Sequence, residues 1–309
     1  MALVFQPEIV PEVSVVIASY NASETIERCL SALTTLETAV PFEVVVVDSS
    51  HDGTGELIAA GFPEVTLVTV ASRMYPGDAR NLGVARARAD ILAFTDTDCI
   101  VDARWIEEIL AAHRTGVLAA GGSVDNANPE SVIGWANYFC EFTAWMPAGD
   151  RRPLHEIPTA CLSIKRRAFE DFGPFLGDTL CSDSAFCWRL ARAGSPPVFV
   201  PSIRVAHLNV TQPSLYLKRK WRHGRAFARV RASEDRFGRP RCLLNLLVAP
   251  VVPALLFFRT ACAVVRARLF RRQFVVSSPL ILLGELFWAL GEAVSYSRLV
   301  VAPGRTRST

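Results

Sequence analysis

The segment ADILAFTDTDCIVD, residues 89–102, places two acidic residues directly after an apolar run. Residues 91–94 are all apolar, as expected of a short strand in the core of a domain. Asp96 and Asp98 follow at once. Burying one carboxylate there is costly, and two carboxylates also repel each other. The segment therefore predicts a core strand that ends in a site for a cation or another charged ligand.

Other short apolar runs alternate with helix-like stretches on both sides of this segment. The predicted strands are VSVVIAS at 13–19, FEVVVVD at 42–48, VTLVTV at 65–70 and DILAFTD at 90–96. The predicted helices lie at 24–36, 52–61, 77–89 and 103–114. Repeated strand–helix units predict an α/β fold, Rossmann-like, with a mainly parallel sheet flanked by helices.

Polar residues follow three of these strands where each strand ends. Ser19 and Tyr20 close the first strand, Asp48 closes the second, and Asp96 and Asp98 close the fourth. In an open parallel sheet, ligands bind beyond the carboxyl ends of the strands. We therefore expect these side chains to converge on one binding site.

The two acids of the opening segment have two interpretations. Two carboxylates one residue apart offer hard oxygen ligands to Mg²⁺ or Mn²⁺, which commonly keep phosphate oxygens and waters as their other ligands. The alternative is that Asp98 or Asp102 only caps the helix that begins near residue 102. Spacing alone leaves both interpretations open.

The second half of the chain is less regular. A strand and a short helix are predicted within 157–173, a helix at 182–194 and a strand at 197–207. A basic helix is predicted at about 213–231, and ten of the 33 Lys and Arg residues of the chain lie between Lys218 and Arg241. The net charge is only +3, so this is a local basic block in an otherwise balanced chain.

The last 70 residues are apolar enough to indicate contact with a membrane. Hydrophobic residues make up 50% of the chain, and its mean hydropathy is +0.26. The runs 242–258 and 274–302 are near the roughly 20 residues that span a bilayer, but prolines or charged residues interrupt both. We predict helices that lie in or dip into the membrane interface, with a spanning hairpin as the alternative.

The cysteines and the basic block indicate in which compartment the protein lies and which partners it binds. The eight cysteines are scattered without a CxxC pair, and residues 1–16 lack the pattern of a secretory signal, so we expect reduced thiols in the cytosol. Sparse aromatic residues within the basic block, and the apolar tail after it, favour docking to anionic lipid over nucleic-acid binding. No nucleic-acid partner is therefore expected.

Four blocks of the sequence carry a resemblance to a known family. They are VSVVIASYNASETIERCLSAL, EVVVVDSSHDGT, GDARNLGVARARADILAFTDTDC and SDSAFCWRLARAG with the following VPSIRVAH. In order and spacing they resemble the motif blocks of inverting family 2 glycosyltransferases, which have the GT-A fold. The resemblance covers about residues 11–232. It implies a UDP- or GDP-sugar donor, a hydroxyl acceptor, and Mn²⁺ or Mg²⁺.

The resemblance also implies roles for individual residues. Those implied to bind the nucleotide sugar are Ser19, Tyr20, Asp48, Gly77, Arg80, Asn81 and Asp96. Asp96, Asp98 and His207 are the implied metal ligands. Simpler roles remain open: Asp48 as a turn cap, Arg80 on a solvated helix face, and His207 as a structural histidine.

Asp183 corresponds to the catalytic aspartate of the family. A glutamate usually precedes that aspartate, but Ser182 stands there in this chain, which leaves the type of acceptor open. One carboxylate is enough to accept the proton of an attacking hydroxyl. The alternative role for Asp183 is to cap the helix that it begins.

Together these observations predict an enzyme on the cytoplasmic face of the cell membrane. Residues 1–232 would form the GT-A catalytic domain and residues 233–309 a membrane-associated segment. We expect a lipid-linked or envelope glycan as acceptor. The alternative is a non-catalytic nucleotide-sugar-binding or scaffold protein of the same fold.

Overall fold

The computed structural model describes residues 10–301, so the expectation about a secretory signal lies largely outside the described part. The strands are β1 Val13–Ser19, β2 Phe42–Asp48, β3 Thr66–Thr69, β4 Ile91–Asp96, β5 Cys99–Val101, β6 Ala119–Asn126, β7 Arg152–Pro153, β8 Leu162–Lys165 and β9 Val198–His207. The α-helices are α1 Ile26–Thr34, α2 Thr54–Gly61, α3 Pro76–Arg86, α4 Trp105–Arg114, α5 Val132–Phe142, α6 Arg166–Phe172, α7 Ser182–Arg192, α8 Pro213–Glu234, α9 Arg239–Val248, α10 Val252–Ala267 and α11 Arg271–Val301.

The first half of the sheet is parallel, as predicted. Strands β3, β2, β1 and β4 lie side by side in that order, and each neighbouring pair is parallel. Valine and isoleucine predominate in β1 and β2, and Val15, Val16 and Ile17 are fully buried. Such strands are buried on both faces, because helices cover both sides of the sheet. The register pairs Ser19 with Asp48 and Ala18 with Asp96, so the polar strand ends lie at one edge.

The second half of the sheet mixes directions. Strand β8 is antiparallel to both β4 and β6, whereas β6 and β9 are parallel. The short strands β5 and β7 each pair antiparallel with β9. In β5, Cys99 pairs with His207, which brings the end of the opening segment beside the end of β9.

Helix α5 was not predicted, and it links the sheet to the C-terminal helices. Its sequence is apolar on nearly all sides, and Tyr138 and Phe139 are buried. The ring of Trp135 lies 4.8 Å from that of Phe270, and the ring of Phe139 lies 5.5 Å from that of Phe274. These contacts hold the start of α11 against the half of the molecule that contains the sheet.

The C-terminal helices form two segments, 239–267 and 271–301, that are long and apolar enough to cross a membrane. Acidic residues interrupt the second segment in the sequence, but Glu285 and Glu292 are buried within the fold. The exposed surface of the middle of α11 is apolar and includes Leu282, Leu286 and Leu290, whereas the exposed arginines Arg271, Arg272 and Arg298 lie near the helix ends. The interrupting acids therefore do not face the surrounding solvent or lipid.

Helices α8 and α11 pack with their backbones close together. A Cβ atom on Gly224 of α8 would lie 2.2 Å from the carbonyl oxygen of Trp288, and one on Gly291 of α11 would lie 2.3 Å from that of Trp221. Only glycine permits such an approach. Helix α11 is therefore fixed against α8 along its length.

Candidate functional site

A cavity of about 900 Å³ opens at the carboxyl edge of the parallel strands. Seven of the ten predicted site residues line it: Ser19, Tyr20, Arg80, Asp96, Asp98, Asp183 and His207. They come from β1, α3, β4, α7, β9 and the turn after β4. The predicted convergence of the strand ends is thus present in the structure.

Asp48 lies directly behind this cavity wall. It is buried, and its Oδ1 accepts hydrogen bonds from the hydroxyls of Ser19 at 2.7 Å and Ser50 at 2.5 Å. The bond to Ser50 is a turn contact, in keeping with the simpler interpretation of Asp48 as a turn cap. The bond to Ser19 orients a side chain that lines the cavity.

Gly77 and Asn81 face away from the cavity toward the segment before α7. A Cβ atom on Gly77 would lie 2.1 Å from the carbonyl oxygen of Leu176. The Asn81 amide donates to the Phe175 carbonyl oxygen at 2.9 Å and accepts from the Phe175 backbone N–H at 3.0 Å. Both residues hold α3 against this segment, and their contact with a donor stays a prediction.

Arg80 and Asp96 form an ion pair of 2.6 Å between Nη2 and Oδ1. The Arg80 side chain is only 6% exposed, so it is not on a solvated helix face. Burial raises the pKa of Asp96, although the charge of Arg80 opposes the rise. The Nε atom of Arg80 is buried and has no hydrogen-bond partner within residues 10–301, so the guanidinium is not fully satisfied.

Asp98 and His207 form a second pair, with 3.3 Å between Oδ1 and Nε2. Burial opposes the ionisation of Asp98, but the charge and hydrogen bond of His207 outweigh it and lower the pKa of Asp98. Helix α4 begins only at Trp105, so Asp98 does not cap it. Asp102 instead accepts a hydrogen bond from the Arg104 backbone N–H at 3.1 Å.

The donor atoms around Asp98 suit a divalent cation. Ligating atoms of Asp98, Cys99 and His207 lie within 4.8 Å of one another. Two ligands at right angles and about 2.1 Å from one ion are about 3.0 Å apart, close to the separation of Asp98 and His207. Nδ1 of His207 is buried without a partner in the described chain. Burial holds the pKa of Cys99 well above its usual value, so this thiol is a poor ligand for a hard ion.

Asp183 is oriented by backbone and hydroxyl groups. Its Oδ2 accepts hydrogen bonds from the Thr159 backbone N–H at 3.2 Å and hydroxyl at 3.4 Å, and its Oδ1 accepts from the Ser184 N–H at 2.9 Å. The residue before α7 is Cys181, with φ of 61°, and no side chain caps the helix. The interpretation of Asp183 as the N-cap is therefore wrong, and its carboxylate faces the cavity.

The family model "Glycosyl transferase family 2" matches residues 14–173, slightly more than half of the chain. The chain belongs to this family. Among curated relatives, glycosyltransferase AglE of Haloferax volcanii is 31% identical over 171 residues, which are 53% of this chain and 56% of that protein. Succinoglycan biosynthesis protein ExoO of Rhizobium meliloti is 36% identical over 127 residues, 40% of this chain and 36% of that protein. The family 2 chain thus spans about half or less of these relatives.

Solved structures of similar fold match nearly the whole chain, including the C-terminal helices. A mannosyltransferase from Pyrobaculum calidifontis, solved in complex with GDP-Man and Mn²⁺, superposes with a TM-score of 0.63 at 20% identity. The match covers 94% of this chain and 88% of that one. TarS of S. aureus gives a TM-score of 0.52 at 14% identity, over 93% of this chain and 55% of that one. At these identities the likeness concerns the fold alone.

The cavity of this family 2 protein continues beyond the predicted residues, between α8, α10 and α11. Lys220, Arg259, Glu285 and Trp288 line this part. Lys220 is only 1% exposed, and its Nζ lies 4.8 Å from the centre of the Trp288 ring. Sequence analysis placed Lys220 in the basic helix and Arg259, Glu285 and Trp288 in the membrane-associated segment, because neither hydropathy nor spacing shows which face of a helix meets a cavity.

Glu156 is a second carboxylate near Asp183 that sequence analysis missed. Both line the cavity, and Oε2 of Glu156 is buried without a hydrogen-bond partner within residues 10–301. Burial raises the pKa of Glu156, and the charge of Asp183 adds to the rise. Since 26 residues separate the two acids, no local motif joins them. Ser182 replaces the usual acidic neighbour of Asp183, and the fold brings another acid close by.

Proposed function

We propose that this protein is a metal-dependent inverting glycosyltransferase that moves a sugar from a nucleotide-sugar donor to a hydroxyl acceptor. The observation that carries the proposal is the convergence of side chains from three of the four sequence blocks on one cavity, including Arg80, Asp98, Asp183 and His207. Family membership supports transferase chemistry. The named relatives AglE and ExoO support a role in making glycans.

In this proposal the sheet side of the cavity binds the donor. Ser19, oriented by Asp48, and Tyr20 would contact the nucleoside. The guanidinium of Arg73 lies 4.6 Å from the centre of the Tyr20 ring, so this aromatic surface is already held in place. Arg80 would turn from Asp96 toward the diphosphate. An arginine presents a planar set of N–H donors that matches phosphate oxygens.

Mn²⁺ or Mg²⁺ would bind through Asp98 and His207, with Asp96 available once Arg80 has turned to phosphate. The mannosyltransferase of similar fold was solved with GDP-Man and Mn²⁺, which supports this assignment. When bound, the metal supplies charge neutralisation for the departing diphosphate. The three predicted ligands are only partly assembled, because Arg80 holds Asp96.

Asp183 would act as the general base. Its carboxylate accepts the proton of the acceptor hydroxyl as the oxygen bonds to C1 of the sugar. The bond from C1 to the diphosphate oxygen breaks on the opposite face, so configuration inverts and the nucleoside diphosphate leaves. Hydrogen bonds from Thr159 and Ser184 hold the carboxylate in position for this step.

We also propose that residues 233–309 attach the catalytic domain, residues 1–232, to the cytoplasmic face of the cell membrane. The two apolar helical segments and the exposed apolar side of α11 support this attachment. An acceptor that is lipid-linked, or part of an envelope glycan, would then lie close to the site.

The proposal is tested by thermal unfolding of the full chain with a panel of UDP- and GDP-sugars and Mn²⁺. A true donor at about 100 times its dissociation constant stabilises the folded state by about 2.7 kcal/mol. We expect this shift with Mn²⁺, and its loss with EDTA or in Asp98→Asn.

The control is Asp102→Asn, whose side chain contacts the Arg104 backbone and does not line the cavity. No shift with any nucleotide would contradict the proposal. A shift without metal-dependent hydrolysis or transfer would favour the scaffold alternative.

A further inference from the structure

Helix α10 has two faces of different character. Leu256, Arg259, Thr260 and Ala263 line the cavity, and their spacing of three, one and three residues places them on one face of the helix. Leu255 and Phe258 lie off this face and are 60% and 66% exposed. One helix thus separates the reaction cavity from the apolar outer surface of the hairpin.

Arg259 is the only charged residue between 242 and 265, in a stretch apolar enough to cross a membrane. A charge in such a segment is costly, and it commonly faces a cavity and marks a binding site. Arg259 lines the cavity and forms no ion pair with any residue from 10 to 301. Its guanidinium is therefore available to an anionic ligand.

Lys220 adds a second cation to the same part of the cavity. Burial opposes its charge, but the nearby carboxylates of Glu285 and Glu141 act against burial and the pKa of Lys220 is raised above its usual value, so the amine is protonated. Glu285 offsets part of that charge. Glu156 acts electrostatically on Arg259 without forming an ion pair within the described chain. The cationic groups are thus positioned but not neutralised by direct contacts.

Apolar groups surround these cations. Leu256 and Ala263 of α10, Phe227 of α8 and Trp288 of α11 line the same part of the cavity. A small hydrophilic anion would gain little from such a wall, whereas an anion with a hydrocarbon chain would bury apolar area against it. The combination of cation and apolar wall matches an amphipathic anion.

We propose that the α10 face formed by Leu256, Arg259, Thr260 and Ala263 is the acceptor subsite, and that Arg259 binds the phosphate that joins a lipid to the sugar whose hydroxyl is the acceptor. The inference rests on the proposed function, since it names the substrate class for the second half of the same cavity. The hydrocarbon chain lies along α10 toward the outer apolar surface. Arg259 fixes the phosphate, so that the hydroxyl of the attached sugar lies within reach of Asp183.

The test is a titration of the full chain in neutral detergent micelles with farnesyl phosphate, followed by tryptophan fluorescence. Trp288 borders the subsite and reports on its occupation. Farnesol and inorganic phosphate are titrated separately, because farnesol carries only the hydrocarbon chain and inorganic phosphate carries only the phosphate. We expect saturable binding of farnesyl phosphate at least tenfold tighter than either. Equal binding of farnesol and farnesyl phosphate, or no binding, overturns the proposal.

The variant Arg259→Gln should weaken farnesyl phosphate binding about tenfold or more, because it removes a charge-assisted hydrogen bond. Arg259→Lys should restore part of the loss. The matched control is Arg266→Gln on the same helix, which is exposed and does not line the cavity. Equal weakening by the two glutamine variants would indicate binding to the surface and would overturn the assignment.

Two further experiments are needed. The first distinguishes an acceptor phosphate from the phosphate of a bilayer headgroup, and the second distinguishes failure of this proposal from failure of the proposed function. In nanodiscs, phosphatidylglycerol should not displace farnesyl phosphate, and displacement would assign the site to bilayer headgroups instead of an acceptor. Stabilisation by nucleotide and Mn²⁺ is measured on the same samples and should be unchanged in Arg259→Gln. If nucleotide binding is absent while the Arg259-dependent binding persists, the donor proposal fails and the lipid-phosphate subsite stands.

Discussion

On the sheet side of the cavity Arg80 pairs with Asp96 and His207 with Asp98, whereas on the helix side Lys220 and Arg259 form no ion pair within residues 10–301. Under the proposed function, the sheet side is preorganised but closed, because its ion pairs would have to open before metal and diphosphate bind. The helix side already presents cations to a ligand. The difference teaches that, under the two proposals, the halves of one cavity would recognise anions by different routes. On the sheet side, Arg80 would exchange its ion pair with Asp96 for a phosphate, whereas on the helix side Arg259 needs no such exchange because it forms no ion pair within residues 10–301.

The largest effect is expected at Asp183, where the two sides meet. Asp183→Asn removes the proton acceptor but keeps the size of the side chain, so transfer should fall about 10³-fold, within the range for loss of a general base. Stabilisation by nucleotide and Mn²⁺ should not change. Asp178→Asn is the control, since Asp178 is exposed and does not line the cavity. Full activity of Asp183→Asn would rule out its role as the base.

Gly224→Ala tests whether the helix side depends on close backbone packing. The added methyl group would lie 2.2 Å from the carbonyl oxygen of Trp288. This oxygen belongs to the backbone of α11, so it cannot rotate out of the way as a flexible side chain could. We expect a loss of about 3 kcal/mol in the free energy of unfolding, near the upper end for overpacking. Gly61→Ala is the control, because nothing lies within 4 Å of its added Cβ. The two midpoints of thermal unfolding should differ by several degrees, and equal midpoints would show that α11 is loosely held.

His113 gives the sheet side a stability that depends on pH. It is buried, its ring lies 2.9 Å from the Ser163 hydroxyl, and burial lowers its pKa to about 4. As the pH falls, His113 gains a proton near pH 6.5 in the unfolded chain but only near pH 4 in the folded chain. The contribution of neutral His113 to the free energy of unfolding is therefore fully present above pH 6.5 and is lost as the pH falls toward 4. The loss should be about 2 kcal/mol at pH 5. Thermal midpoints at pH 7 and pH 5 should therefore differ less in His113→Gln than in the unsubstituted chain. An equal pH dependence would refute this account.

Glu156→Gln should have the smallest effect, about a tenfold loss of kcat/KM, because Asp183 would remain as the main proton acceptor. The acidic side of the pH–rate profile should also change shape, since Glu156 titrates beside Asp183. Glu170→Gln provides an exposed control outside the cavity. A profile identical to that of the unsubstituted chain would assign Glu156 a packing role only.

Strands and helices with a clear pattern were predictable from sequence, whereas the very short strands β5 and β7 and the largely apolar helix α5 were not. The β-branched runs of β1 and β2 and the acids after β4 were located correctly, because alternating strand and helix patterns show where parallel strands end. Strand β5 has three residues and strand β7 two, too few for any period to appear. Helix α5 lacks a polar face, so its pattern indicates no particular element.

The site was predictable where a motif lies at a strand end and not where tertiary packing creates it. Asp98 and His207 were matched to motifs, and β5 brings them together. Lys220 belongs to a basic helix in which Lys218 and Arg229 are exposed. Lys220 differs from them because α11 packs over it and buries it, which the sequence of α8 does not indicate. Glu156 has no motif at all. Its position depends on the path of the chain between β6 and β8.

The contribution of α11 to the cavity wall bears on which molecule attacks the sugar. A chain that ended at Arg268 would keep every residue matched by the family model, but it would lose Glu285 and Trp288 from the wall. Bulk water would then reach the donor. Under the proposed function, we expect hydrolysis of the nucleotide sugar to replace transfer in such a truncated chain. The C-terminal helices would thus exclude water as a competing nucleophile, in addition to locating the enzyme at a surface.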